Sequence, residues 1–355
     1  MINNELLKRG VPDFFKGVDS LQDWESLKCN LKDLLLKEEY GYPPEKLSPK
    51  ITTEPQSISF AGKGSWESVF FTFEKDGKSH TVRCELILPK GVERAPVFLL
   101  MDFEARVPSK YFPTEEILDG GFGIMSFCYE SVTADNNDFS SGLCGLFKEN
   151  DAHSFGKITI WAYMASACMD YLCTREDVDS NNVAIIGHSR LGKTALLASA
   201  LDERFVLTCS NNSGCCGAAL SRGKRTKNES IRAITTTFPQ WFCQIFLKYS
   251  DNEVSLPFDQ HMLVALIAPR HLMIGCAQED YWADNEGQFL SCYLSSKIWE
   301  LYGKSGLRLN GDCMPRVSDS LTEGELGFYI REGSHFLSRY DWNKYMMKFK
   351  EILKG

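Results

Sequence analysis

Nowhere in this 355-residue sequence does an apolar run approach the roughly 18 residues that a membrane-spanning helix requires. The opening MINNELLKRGVPDFF lacks the apolar stretch of an export signal, so the expected location is the cytoplasm. Positive charge is in short supply. Lys and Arg number 39 against 47 Asp and Glu, a formal net charge of −8, which argues against a nucleic-acid or anionic-membrane partner. No tract is rich in Pro, Gly or Ser, and there is no internal repeat or low-complexity segment. One domain is therefore expected over the whole chain, with residues 1–50 as a helical extension packed on it. Histidine is scarce, at six residues. Cysteine is not, at 13, but residues such as Cys128, Cys209 and Cys276 are scattered through apolar runs, as small core residues would be. They read as reduced thiols. The adjacent pair Cys215–Cys216 has no partners at metal-ligand spacing, so neither a zinc site nor any other metal is expected.

What is present is an alternation of strand and helix patterns. The first fifty residues read as helical and polar, ending in the loop Tyr40-Gly-Tyr-Pro-Pro44. Two β-rich runs, Ser65–Glu74 and Ser79–Leu88, flank the turn Lys75-Asp-Gly-Lys78 and predict an antiparallel hairpin. Short apolar runs follow at Val97–Met101, Phe122–Cys128, Val183–Ile186, Phe205–Cys209, Leu272–Cys276 and Leu326–Ile330. They are of the kind buried on both faces of a parallel sheet. Helical patterns lie between them, notably Ile158–Cys173 and Leu191–Leu201. The predicted class is α/β: a three-layer sandwich of the α/β-hydrolase kind, mostly parallel, with an antiparallel N-terminal hairpin.

One segment carries the chemistry, Val183-Ala-Ile-Ile-Gly-His-Ser-Arg-Leu-Gly-Lys-Thr-Ala-Leu196. Read as Gly187-x-x-x-x-Gly192-Lys193-Thr194 it satisfies the phosphate-binding P-loop pattern. Read as strand, Gly187-His188-Ser189, helix, it is a nucleophile elbow, although Leu191 stands where a second glycine is usual. Chain position favours the elbow, because a P-loop follows the first strand of its domain and this segment follows four or five. A hydrolase also needs Ser, acid and His in that order. Ser189 is followed by Glu279-Asp280 after one apolar run, and by His335 after the next. Each falls at a strand's carboxyl end, where an α/β sheet places its site. Of the other histidines, His261 is the serious rival to His335, but it precedes the acid. His80, His153, His188 and His271 lie in the hairpin, in a polar loop, beside the serine and at a strand start.

The elbow segment resembles the signature of the bacterial glucuronoyl esterases, carbohydrate esterase family fifteen. The resemblance extends across Tyr40-Gly-Tyr42, Asp202-Glu-Arg-Phe205, Asn212-Ser-Gly214, Gly217-Ala-Ala-Leu-Ser-Arg222 and Phe238-Pro-Gln-Trp-Phe242. It continues through Leu256-Pro-Phe-Asp-Gln-His261, Ala268-Pro-Arg270, Glu279-Asp-Tyr-Trp-Ala-Asp284 and Gly333-Ser-His335. It implies cleavage, through an acyl-enzyme and without metal or cofactor, of the ester between a glucuronic-acid carboxyl and a lignin-type alcohol. By resemblance, Arg190 helps hold the oxyanion, and Lys193, Glu229 and Trp282 contact the sugar, while Trp241 is expected in the core. The family places its acid at either of two strand ends. The first is occupied here by the neutral Asn212, so Asp280 is expected in the role, with Glu279 as alternate and Asp284 a distant third. A glutamate at position 212 is expected to rescue in part an enzyme lacking Asp280. A carbohydrate deacetylase such as an acetylxylan esterase would share fold and triad, and a P-loop nucleotide-binding protein is the distant alternative. The expected partner is a small carbohydrate ester.

Overall fold

Side-chain alternation along the central apolar runs decides which layer each residue serves. The computed structural model describes residues 2–57, 60–147, 151–309, 311–317 and 319–355. Its strands are β1 Lys50–Pro55, β2 Gly64–Lys75, β3 Lys78–Pro89, β4 Ala95–Asp102, β5 Gly123–Cys128, β6 Val178–His188, β7 Leu207–Asn211, β8 His271–Ala277, β9 Ser320–Leu321 and β10 Leu326–Arg331. They form one 10-stranded sheet in the order β1-β2-β3-β5-β4-β6-β7-β8-β10-β9. Pairing is parallel from β5 across to β10. It is antiparallel among β1, β2, β3 and β5 and between β10 and β9. Among the described residues, the helices of eight residues or more are α1 Ile2–Arg9, α2 Leu21–Leu35, α3 Lys157–Leu172, α4 Arg190–Leu201, α5 Asn285–Leu301 and α6 Arg339–Ile352. None is long and apolar enough to cross a membrane.

Val97, Leu99, Val183 and Ile185 point to one face of the sheet and pack with Ile158, Trp161 and Leu196 of α3 and α4. Their neighbours Phe98, Leu100, Ala184 and Ile186 point to the other and meet Trp342, Tyr345 and Phe349 of α6. That is the period-2 geometry of strands buried on both sides, and it yields the expected three layers. The hairpin also forms as expected, with Asp76 and Gly77 both at positive φ in its turn.

Two parts of the chain depart from the expectation. β1 had no signal, because it is an exposed edge strand that includes Pro55. The N-terminal segment is less polar in effect than in composition: Trp24, Leu31, Leu35 and Tyr40 are buried in the main core. After α2 the chain widens into a π turn over Leu36–Tyr40. It then reverses at Gly41, where a Cβ would lie 2.2 Å from Ser154 O. The turn carries Glu39 and Tyr40 inward, both fully buried.

Candidate active site

The carboxyl ends of β6, β8 and β10 bring the candidate residues together. Ser189 sits between β6 and α4 with φ 59 and ψ −125, a backbone conformation that costs a side-chain-bearing residue about 1–3 kcal/mol. The surroundings hold it there. Its N–H donates to Asn211 O at 2.9 Å, and its carbonyl accepts from Gly192 N at 2.9 Å and Lys193 N at 3.2 Å. A Cβ on Gly187 would lie 2.0 Å from Leu191 O, so no other residue fits. At Gly192 a Cβ would lie 3.0 Å from Asn211 O and 3.1 Å from Ser213 Cβ, whereas the side chain of Leu191 is fully buried in the core. The close approach therefore falls at residue 192, which accounts for the displaced second glycine.

The P-loop reading fails on the same geometry. Helix α4 begins at Arg190, so no loop remains between strand and helix to cradle phosphates. Lys193 is buried with its Nζ on Ser213 O, and Thr194 Oγ1 donates to Arg190 O at 3.0 Å.

His335 lies in the loop after β10, with Nδ1 on Asp280 Oδ2 at 2.5 Å. Asp280, in the loop after β8, is buried, and its Oδ1 accepts weakly from Ala283 N at 3.4 Å. The alternate Glu279 is exposed and, among the described residues, contributes only its backbone N–H, to Gly333 O at 3.0 Å. Asp284 is committed elsewhere. Arg9 grips it bidentately at 2.8 and 2.9 Å, and Lys224 at 3.0 Å. Burial alone would raise its pKa, but Lys224 and Arg9 hold the carboxyl well below the usual carboxylate range. The His335 loop is pinned by Arg331. Its Nε donates to Asp341 Oδ2 at 2.8 Å, and its terminal nitrogens donate to the carbonyls of Glu332, Ser334 and Phe336.

Beneath His335 is a second imidazole, with the ring of His188 centred 4.4 Å away. Burial, helped by the neighbouring His335, pushes the His188 pKa down to about 3, so this ring stays neutral at ordinary pH. His188 Nδ1 meets Asn211 Oδ1 at 2.7 Å, and Asn212 Nδ2 donates to the same oxygen at 2.9 Å. Asn212 Oδ1 accepts from Ala277 N at 2.9 Å, so Asn212 ties β7 to the end of β8. The rival His261 is buried against Phe14 and Phe15, ring centroids 5.7 and 5.2 Å away, far from this assembly in contact terms.

Arg190 follows Ser189 and lies in a box of aromatic rings. Its guanidinium carbon is 4.7 Å from the centroid of Trp241, 5.0 Å from Phe238, 5.8 Å from Tyr129 and 5.9 Å from Phe103. Asp135 supplies the counter-charge through an ion pair with Nη1. The same carboxylate accepts from Trp241 Nε1 at 2.7 Å and Gln240 Nε2 at 2.9 Å. Arg190 Nε is buried with no acceptor among the described residues, an unspent donor beside Ser189. Trp241 was expected in the core. It is buried, but its ring spans Arg190 and Lys193, 5.9 Å from the latter's Nζ. No sequence signal marked Asp135, which lies in an irregular loop outside any periodic pattern.

Lys193, one turn along α4, is held by Ser213 O and lies 3.9 Å from Glu229 Oε2. Glu229 in turn donates its N–H to Trp282 O at 3.0 Å, and Trp282 is 52% exposed. The three residues expected to contact a sugar therefore share one wall. Behind Lys193, Glu39 is fully buried with both oxygens on Gln260 Nε2 at 2.9 Å. Burial pushes its pKa up to about 8, although Gln260 and Lys193 work in the other direction.

Comparison with known proteins agrees with this geometry. A family model described as glucuronyl esterase of fungi matches residues 71–303. A carbohydrate esterase from an unknown prokaryotic organism is 40% identical over 237 residues, 65% of this chain, and the match spans 54% of that relative's length. The 4-O-methyl-glucuronoyl methylesterase of Schizophyllum commune is 29% identical over 299 residues, covering 81% of this chain and 70% of its own. Among solved structures, a glucuronoyl esterase from Solibacter usitatus superposes with a TM-score of 0.83 at 32% identity, covering 94% of both chains. One from Teredinibacter turnerae gives 0.85 at 26% identity, covering 95% of this chain and 86% of that one. The shared α/β-hydrolase architecture and the matched residues assign this chain to the glucuronoyl esterase family.

Proposed function

We propose that this chain hydrolyses esters of glucuronic acid, of the 4-O-methyl-glucuronoyl kind, through an acyl-enzyme on Ser189. The observation that carries the reading is the 2.5 Å bond between Asp280 and His335, whose ring lies 4.4 Å from that of His188, the residue before a serine held at an elbow. With its Nδ1 proton on Asp280, His335 presents a lone pair at Nε2 and takes the Ser189 proton as the oxygen attacks the ester carbonyl. Negative charge then develops on the carbonyl oxygen. Gly192 N and Lys193 N of the first turn are spent on Ser189 O, so the N–H groups of Arg190 and Leu191 and the Nε–H of Arg190 are the donors left. The aromatic box and Asp135 fix the guanidinium in advance, so little reorganisation is needed when the charge appears. The alcohol departs with the proton from His335, and water reverses the sequence. Lys193, Glu229 and Trp282 supply a cation, an anion and a flat apolar face, a set suited to a hydroxylated ring. An acetyl group would leave a buried ion pair of that kind without a task, which favours the glucuronoyl over the acetyl ester. The test sets the purified protein on benzyl glucuronate beside an acetylated xylo-oligosaccharide. Turnover of the first that Ser189→Ala abolishes supports the reading, and activity confined to the second refutes it.

A further inference from the structure

Lysine is an unfavourable choice at position 157. It is the first residue of α3, where a cation opposes the helix dipole. It is also fully buried, which a charged ammonium tolerates only when oxygens replace its water. The loop at 134–139 supplies them. Lys157 Nζ donates to the carbonyl of Asp138 at 2.8 Å, to that of Ala134, and to Asn136 Oδ1 at 3.4 Å. It also lies 5.0 Å from the ring centroid of Phe139. The loop is thus wrapped around one internal cation, as loops elsewhere wrap around a metal ion.

Asp135 stands between two of those contacts in the chain, and its carboxylate holds Arg190, Gln240 and Trp241. The start of α3 also bears on Trp241 directly. A Cβ on Gly156, the residue before Lys157, would lie 2.2 Å from Trp241 O. One turn of helix therefore braces two supports of the guanidinium: the loop that carries its counter-charge, and the tryptophan whose ring centroid is 4.7 Å from it. We propose that Lys157 is a positioning residue for the reaction, which shapes the loop of Asp135 and so sets Arg190 for the developing oxyanion. The proposal rests on the serine-esterase reading above and adds a residue to it.

The physical case is one of preorganisation. Residues 133–141 form neither helix nor strand, so no regular ladder of backbone bonds fixes them. Asn136 and Asp138 are exposed on the same stretch. The ammonium takes the place of a ladder by drawing three oxygens to one point. Without it the loop is free to shift and to carry the Asp135 carboxylate with it. A displacement of about 1 Å in a group that supports the transition state can cost up to about a hundredfold in rate. The effect belongs to kcat, because the oxyanion that Arg190 meets appears only as the ester is attacked. Binding of the sugar by Lys193, Glu229 and Trp282 does not pass through this loop.

The test is a double-mutant cycle on the turnover of benzyl glucuronate. Lys157→Met keeps the length of the side chain and removes the ammonium. Where Arg190 is present it should lower kcat by about tenfold and leave KM within about twofold. In the Arg190→Ala protein the same change should cost less than about twofold in kcat, because the group being positioned is gone. An equal loss in both backgrounds, a loss confined to KM, or a kcat within about twofold of wild type would overturn the positioning role and leave the esterase reading intact. Should Lys157→Met fail to fold, Asn136→Ala carries the test, since Asn136 is exposed and its loss removes one of the three oxygens. Its smaller fall, about threefold in kcat, should likewise vanish in Arg190→Ala. No fall, or equal falls in the two backgrounds, overturns the proposal. No turnover of benzyl glucuronate by the wild-type protein overturns it together with the reading on which it rests.

Discussion

Replacing Asp280 by asparagine is the sharpest test of the proposed mechanism. The change keeps size and shape and removes one charge. Oδ2 accepts from His335 Nδ1 at 2.5 Å, while Oδ1 has the weaker partner Ala283 N at 3.4 Å. In the amide, the oxygen keeps the position that faces a backbone donor, so Nδ2 turns toward the ring. Two donors cannot share that contact. The imidazole answers by moving its proton to Nε2, the nitrogen that must accept the proton of Ser189. The wrong tautomer and the lost counter-charge together should lower kcat by about 10⁴ at neutral pH, with KM little changed. Glu279→Gln is the control, because that side chain is exposed and only its backbone N–H is used. It should stay within about twofold of wild type. Benzyl glucuronate turnover, followed by release of benzyl alcohol, measures both. Retention of more than about a tenth of kcat by Asp280→Asn, or an equal loss in Glu279→Gln, would refute the assignment, since either falls far outside a lost triad member. A rescue by Asn212→Glu, expected from the sequence, is not expected from the structure. Asn212 is buried at φ 47 with both amide ends engaged, and a glutamate would set its anion against Asn211 Oδ1. The double variant should be as inactive as Asp280→Asn alone.

Three further outcomes follow from the same geometry. Arg190→Ala should cost about 10²–10³ in kcat, and adding Asp135→Asn should cost little more, because Asp135 acts through the guanidinium. A double variant far worse than Arg190→Ala would assign Asp135 some other task. Lys193→Ala should raise KM for benzyl glucuronate by more than for a simple aryl acetate, and equal effects on the two would remove the lysine from the sugar site. Glu39→Gln tests the buried carboxyl. Its folded pKa is raised to about 8 from 4.5, so its contribution to stability is fully present below about pH 4.5 and is lost as pH rises through 8. The Tm gained by Glu39→Gln should therefore be small near pH 4.5 and grow toward pH 8. A gain independent of pH would show that Glu39 is not held protonated.

The sequence revealed the parts of this molecule whose role is local. β4, β6, β7, β8 and β10 were legible because residues buried on both faces leave continuous apolar runs. The elbow was legible because a strained serine needs glycine nearby, and the pairing of Asp280 with His335 was expected from their order along the chain, which needs no fold to be read. β1 was illegible because an exposed edge strand has no apolar period. Asp135 was illegible for a different reason. Its importance comes from Arg190, Gln240 and Trp241 converging on one carboxylate from 55 to 106 residues away, a fact of tertiary packing with no local pattern. Trp241 was assigned to the core for the same cause: burial is legible in a sequence, but the identity of the neighbour is not.

The grip of Arg9 on Asp284 has a consequence in time as well as in space. The two residues lie 275 positions apart, and α1 also rests on Gly223, where a Cβ would come 2.4 Å from Arg9 Cα. At synthesis rates of about 5–20 residues per second, α1 waits tens of seconds for its anchor to be made. Asp284 caps α5 four residues after Asp280, so the loop bonded to His335 closes around a helix made some 275 positions earlier. A nascent chain thus holds the elbow at Ser189 long before it holds Asp280 and His335. For the same reason, a fusion partner joined directly ahead of α1 presses on the acid loop from the far end of the sequence.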